Sequence, residues 1–134
     1  MKKLILPLTL LFFSCSNITY EVLYQVKTSS SASTKIEAVL SDGSTQSVLS
    51  STAANHTIVS QLLPISKDSA LDDESFKEIC PTPSEVIREI NIYSVSTSSD
   101  TTTETLQQTI PVNDAEWTYR RWARNLGIYL YELK

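Results

Sequence analysis

The chain has 134 residues, of which 41% are hydrophobic and 19% are charged, and this size and composition fit one small globular domain. Its formal net charge of −4 disfavours nucleic acid as a partner, because a nucleic-acid-binding surface needs cations that release condensed counterions. With two glycines, one histidine and two cysteines, the chain lacks a Gly-rich phosphate loop and has too few soft ligands for a closed zinc site. We therefore expect no metal and no cofactor.

The N-terminal residues have the layout of a secretory signal peptide. Lys2 and Lys3 give a positive start, an apolar stretch runs from Leu4 to Phe13, and Ser14-Cys15-Ser16 forms a small polar end. A transmembrane helix is the alternative, but ten residues at about 1.5 Å each cover only about half of the hydrocarbon core of a bilayer. The segment is too short to span a membrane.

Phe12-Phe13-Ser14-Cys15 resembles the lipobox of bacterial lipoproteins, in which the cysteine is acylated and becomes the new N-terminus. The resemblance implies that residues 1–14 are a lipoprotein signal peptide, that Cys15 is the lipidation site and that residues 15–17 are a short tether. The membrane is then a partner through the lipid anchor, which several acyl chains make effectively permanent. Ser16 is not the aspartate that tends to hold lipoproteins in the inner membrane, so the resemblance favours the periplasmic side of the outer membrane. Ordinary signal cleavage near Ser16, with Cys15 discarded, is the alternative.

The mature chain is predicted to be one globular domain over residues 18–134 that begins with a strand. Apolar and polar residues alternate from Ile18 to Lys27, which is the period of a half-buried strand. The strand begins three residues after Cys15, and three extended residues reach only about 10 Å. We therefore expect the domain to lie close against its membrane.

Asp42-Gly43 predicts a hairpin turn between strands at residues 35–41 and 45–49. A two-residue type I′ turn needs positive φ at both central positions, and Asp-Gly supplies them. In that register Ile36 opposes Leu49, and both side chains lie on the buried face.

The middle of the chain predicts a strand, a short helix and a second hairpin. The strand covers residues 56–63 and ends at Pro64. The helix covers residues 70–79, with Ser69 and Asp72 as a capping pair, and ends at the prolines that follow Cys80. The hairpin strands cover residues 85–97 and 104–112, and the first carries apolar residues on both faces, which is typical of a central strand.

The C-terminal segment predicts an amphipathic helix. Ala115, Tyr119, Trp122 and Leu126 recur at three- and four-residue spacing after a candidate N-cap at Asn113-Asp114. Gly127 then ends the helix, and residues 128–133 follow as a strand. A helix that continues to residue 133 is the alternative, because one glycine costs only about 1 kcal/mol.

Aromatic and basic side chains interleave in this segment and form a candidate interface: Trp117, Tyr119, Arg120, Arg121, Trp122 and Arg124. One interpretation is structural: the aromatic rings pack on the sheet and the arginines neutralise nearby acids. The other interpretation uses the short tether. Trp117 and the arginines would then rest on the membrane interface, where aromatic and cationic residues are favoured.

No residue pattern in the chain indicates catalysis. Neither a Gly-x-Ser-x-Gly elbow nor a His-Glu-x-x-His motif is present. His56 lies in a polar stretch, so we interpret Cys80 as a half-buried small hydrophobic residue and not as a nucleophile.

We predict an α+β fold, mainly antiparallel β-sheet with two short helices, with an immunoglobulin-like all-β sandwich as the alternative. The predicted function is a lipid-anchored, non-enzymatic binding or assembly module of the cell envelope that faces the periplasm. Its partner is expected to be another envelope protein or component. An inhibitor or immunity-type protein that blocks an enzyme is the first alternative, and a small hydrolase is the second.

Overall fold

The computed structural model describes residues 18–29, 31–67 and 71–134. The predicted signal peptide, the tether with Cys15, and Ser69 of the predicted capping pair lie outside the described residues. The strands are β1 Ile18–Lys27, β2 Thr34–Leu40, β3 Thr45–Ser50, β4 Asn55–Lys67, β5 Ile87–Ser98, β6 Thr101–Pro111, β7 Trp117–Ala123 and β8 Leu126–Glu132. The helices are α1 Asp73–Ile79 and α2 Pro83–Val86, and a single 3-10 turn covers Asp114–Glu116. In these three ranges, no helix is both long and apolar enough to cross a membrane.

The strands form two four-stranded sheets. Sheet A has the order β4-β1-β8-β7, and sheet B has the order β3-β2-β5-β6. Neighbouring strands are antiparallel except β1 and β8, which run parallel. Inward side chains of both sheets contribute to one hydrophobic core. The prediction of an α+β fold dominated by antiparallel sheet, with two short helices, is confirmed, although the second helix is α2 and not the predicted C-terminal helix.

Strand β1 lies inside sheet A and has the bounds that its alternation predicts. Tyr20, Val22, Tyr24 and Val26 point inward and are fully buried. The alternate positions from Glu21 to Gln25 point to the other side and are half-buried. Because β4 and β8 pair with its two edges, the backbone of β1 is satisfied on both sides.

The hairpin at Asp42-Gly43 forms, but its predicted register is wrong by one residue. The amide of Gly43 donates to the Leu40 carbonyl at 2.9 Å, and Gly43 has φ of +91°. This is a three-residue loop in which glycine takes the left-handed position and forms a bulge. Ile36 therefore opposes Val48, and Leu49 lies on the outer face with a 70% exposed side chain.

The second predicted hairpin is confirmed, and it contains the two-residue turn that was expected at Asp42-Gly43. Ser99 and Asp100 have φ of 46° and 70° between the paired residues Ser98 and Thr101. Positive φ at both central residues matches the right-handed twist of the flanking strands. Strand β5 lies between β2 and β6, which confirms its central position, and it begins two residues later than predicted because α2 precedes it.

The C-terminal segment is a β-hairpin, so the predicted amphipathic helix and its continuation to residue 133 are wrong. Asn113 does act as a cap, since its side chain accepts from the Ala115 amide at 3.1 Å, but it caps only the 3-10 turn. In the hairpin, Trp117 opposes Tyr131 and Tyr119 opposes Tyr129, with ring centroids 5.5 and 5.1 Å apart. These cross-strand aromatic pairs stabilise strands where a helix would separate the rings. The predicted final strand is confirmed as β8.

Gly127 lies in β8 beneath α1 instead of ending a helix. Asp72 is the N-cap of helix α1, and its carboxylate accepts from the Ser75 amide at 2.8 Å. The helix buries Phe76 against sheet A. A Cβ atom at residue 127 would lie 2.9 Å from Cε1 of Phe76 and 3.2 Å from the ring of Tyr119. Glycine is therefore required here by the close approach of the helix.

We expect Gly127→Ala to lower the free energy of unfolding by about 1–3 kcal/mol, because the added methyl group overpacks the space beneath Phe76. Urea denaturation of the purified protein measures the change. In a Phe76→Leu background the same substitution should cost less, because the clashing ring atom is gone. An equal cost in both backgrounds would contradict this account of Gly127.

Candidate binding face

The outer face of sheet A contains a groove of about 490 Å³ that is lined mainly by apolar side chains. We call this surface the open face. Its lining residues are Leu23, Gln25, Asn55, Thr118, Arg120, Trp122, Leu126, Ile128 and Leu130. Trp122 is 62% exposed, and Leu62 of the edge strand β4 extends the apolar surface with an exposed side chain.

Strand alternation and register bring these side chains together. On β8 the inward positions carry Gly127, Tyr129 and Tyr131, so Leu126, Ile128 and Leu130 point outward. Leu23 of β1 pairs with Ile128, and Ile128 also pairs with Arg120 of β7. Side chains at paired positions lie next to each other on one face of a sheet. The open face is thus built from three neighbouring strands.

The outer face of sheet B has a different character. Glu37 accepts hydrogen bonds from Asn91 at 3.1 Å and Tyr93 at 3.4 Å, and Thr109 donates to Asn91 at 2.8 Å. Lys35 lies over the ring of Tyr93 and forms an ion pair with Glu104 at 3.2 Å. On this face the exposed Leu49 and Leu106 lie on opposite sides of Lys35, so charged and hydrogen-bonded side chains interrupt the apolar ones. The two sheets therefore differ, because the groove on sheet A is lined mainly by apolar side chains.

The candidate interface predicted from the sequence is divided between two sides of sheet A. Trp117, Tyr119 and Arg121 point inward, and Trp117 is buried. Arg120 and Trp122 point outward into the open face, where the guanidinium carbon lies 5.2 Å from the centre of the indole ring. Arg124 is exposed in the turn between β7 and β8. Successive side chains of a strand point to opposite faces, so residues that a helix would place on one surface are divided between the two sides of the sheet.

Arg121 serves the fold and is not available at the surface. Its guanidinium group lies 4.8 Å from the ring centre of Phe76 and donates to the Arg124 carbonyl at 2.7 Å. It also forms an ion pair with Asp73 at 2.7 Å. The structural interpretation therefore applies to Arg121, while Arg120 and Trp122 remain candidates for an interface.

Cys80 and His56 lie in different surroundings. Cys80 follows α1 and is buried, which raises the pKa of its thiol from 9.0 to about 11. The His56 ring, near the start of β4, contacts the Ser50 hydroxyl at 2.8 Å and the Thr52 carbonyl at 3.3 Å. Cys80 is a protonated thiol at neutral pH, and the thiolate is the reactive form.

Sequence reasoning did not identify the aliphatic part of the open face. The alternation of β1 puts Leu23 on the same side as polar residues, and the predicted C-terminal helix includes Leu126. A signal was present in β8, where Leu126, Ile128 and Leu130 alternate with Gly127, Tyr129 and Tyr131. Both faces of this strand are apolar, which is typical of a strand that is covered on both sides of its sheet.

The chain matches no family model, no curated protein and no solved structure in comparisons with known proteins. Within the described part of the chain, no three His, Cys, Asp or Glu side chains come together as a metal site. The surface chemistry of the domain itself is therefore what indicates its function.

The two neighbouring arginines should differ in their effect on stability. We expect Arg121→Ala to lower the free energy of unfolding by about 1–3 kcal/mol through lost packing on Phe76 and the lost hydrogen bond to Arg124. Arg120→Ala should change it by no more than about 0.5 kcal/mol, because its side chain is on the exposed face. Urea denaturation of both variants tests this, and equal losses would contradict the assignment of the two faces.

Stability should fall in alkaline solution. Burial raises the pKa of the Cys80 thiol to about 11, and it also raises the pKa values of Tyr24 and Tyr119 above 10.0. The stability that these neutral groups contribute is fully present below their unfolded-state pKa values and is lost as pH rises through the folded-state values. We expect the urea midpoint of unfolding to decline from about pH 9. Cys80→Ala should delay the onset to about pH 10, where the tyrosines begin to ionise, and an unchanged onset would show that Cys80 is not responsible.

Proposed function

We propose that this chain is a lipid-anchored protein of the bacterial cell envelope and that its domain is a non-enzymatic binding module. The lipobox-like Phe12-Phe13-Ser14-Cys15 supports the anchor, and Ser16 supports the periplasmic side of the outer membrane as its location. The open face is the proposed binding surface. It presents aliphatic side chains, one indole and one guanidinium group, which suit adhesion to an apolar surface.

The observation that carries this proposal is the contrast between the two sheets. Exposed hydrophobic side chains are ordinary when they are scattered, but a contiguous apolar patch marks an interaction site. On the open face Leu23, Ile128 and Leu130 are neighbours, and Trp122 projects beside them. On sheet B, Lys35 and the hydrogen-bonded Glu37 interrupt the exposed apolar side chains of the outer face. Contact with an envelope component would bury the apolar face of sheet A.

Site-specific photo-crosslinking in intact cells tests the proposal. A photoreactive side chain at position 122 should form a discrete adduct with an envelope protein or lipid, because this position lies on the open face. The matched control is position 49, where Leu49 is 70% exposed on the outer face of sheet B. We expect several-fold more adduct at position 122 than at position 49.

The anchor is checked in the same cells. Metabolic labelling with palmitate should label the native protein, and Cys15→Ala should abolish the label. A protein that carries no acyl group on Cys15 would refute the anchor. Equal adduct formation at positions 122 and 49, or none at position 122, would refute the open face as the binding surface.

A further inference from the structure

We infer that the open face rests on the phospholipid bilayer that holds the acyl anchor, with Trp122 and Arg120 among the lipid headgroups. This inference depends on the proposed lipid anchor and identifies the partner of the open face as a membrane surface. Three features of the structure support it: the position of the start of β1, the placement of the aromatic and basic residues, and the aliphatic strip behind them.

The start of β1 is attached to the turn between β7 and β8. The side-chain amide of Asn125 donates to the Thr19 carbonyl at 2.9 Å, and the Glu21 amide donates to the Asn125 carbonyl at 2.9 Å. Cys15 is four residues before Thr19, and four residues span at most about 14 Å. Acyl chains on Cys15 would therefore enter the bilayer within about 14 Å of the backbone at Thr19, beside this turn.

Aromatic and basic residues, which membrane interfaces favour, lie near this turn, beside the carboxylate of Glu21. Trp122 immediately precedes the last residue of β7, Arg120 lies two positions before it on the same face, and Arg124 is exposed in the turn itself. Indole rings sit at headgroup level, and guanidinium groups pair with lipid phosphates. The Arg120 guanidinium carbon lies 5.2 Å from the centre of the Trp122 ring, so the two groups already form one amphipathic unit.

The aliphatic strip continues from this unit along the sheet. Leu126, Ile128 and Leu130 follow one another on β8, and the exposed Lys27–Glu132 ion pair, at 3.8 Å, lies at the far end. An apolar strip bordered by charged groups suits a domain that lies in the plane of the interface, with the strip toward the acyl chains and the charges among the headgroups.

The short connection also makes the membrane the favoured occupant. Once the anchor is inserted, the translational and rotational cost of bringing the face to the bilayer has been met. A soluble partner would still incur that cost and would have to displace the lipid surface at the Trp122 end. Burial of the apolar strip against lipid is then sufficient to hold the domain flat.

Fluorescence quenching by brominated lipids tests this orientation. The native acylated protein is reconstituted into vesicles of phosphatidylethanolamine and phosphatidylglycerol whose acyl chains carry bromine. The chain has two tryptophans, and Trp117 is buried. The emission of Trp122 is the difference between the native protein and Trp122→Tyr, which keeps only Trp117. We expect brominated vesicles to remove about half or more of the Trp122 emission relative to unbrominated vesicles, because an indole at the interface is within reach of the quencher.

A matched variant separates contact from mere proximity. Leu49→Trp in the Trp122→Tyr background places an equally exposed indole on the outer face of sheet B, and its emission should be unaffected by bromine. Arg120→Glu with Arg124→Glu in the native background should reduce the quenching of Trp122, because anionic phosphatidylglycerol headgroups repel the new carboxylates. Both side chains are exposed and neither is part of the core, so the fold should tolerate the change.

Equal quenching at positions 49 and 122, or no quenching at position 122, would overturn the inference. The acylation of Cys15 is confirmed by intact mass before reconstitution. An unacylated protein would refute the proposed function, whereas an acylated protein with an unquenched Trp122 and a protein adduct in cells would refute only the membrane as the partner.

Discussion

The parallel pairing of β1 with β8 is the constraint on which the rest of the structure depends. It joins residues 21–27 to residues 126–132 and so brings the first and last strands into the middle of sheet A. Both edges of β1 are satisfied, which allows Tyr20 and Tyr24 to form the centre of the core. The same pairing sets Leu23 beside Ile128 on the outside. One non-local contact therefore creates both the core and the open face.

The inner side of sheet A explains why the aromatic and basic cluster has two roles. Helix α1 needs a surface on which to bury Phe76, and that surface consists of Gly127, Arg121 and Tyr119. These inward residues are therefore engaged in the fold. Trp122, at an outward position of the same strand, has no comparable packing and remains exposed. The residues available for binding are therefore those of sheet A that do not pack against α1.

Local patterns predicted the elements whose geometry is local. The alternation of β1, the helix that ends at Cys80 and the central strand β5 were all foreseen, because each depends on periodicity or on a cap within a few residues. Two failures have the same cause. Asp42-Gly43 is compatible with loops of two or three residues, and cross-strand neighbours select the register. The spacing from Ala115 to Leu126 is compatible with a helix, and the pairing of Trp117 with Tyr131 selects a strand.

The amino-acid sequence by itself determined that β1 begins three residues after Cys15 and that a sheet-dominated α+β fold follows, whereas its signal-like start stays a prediction. Only the tertiary structure decided that Arg120 and Arg121 face opposite sides and that Leu23, Ile128 and Leu130 form one surface. The physical reason is that a face of a sheet is assembled from strands far apart in the chain. Periodicity reports how each strand alternates, but backbone pairing across about 100 residues decides which strands become neighbours.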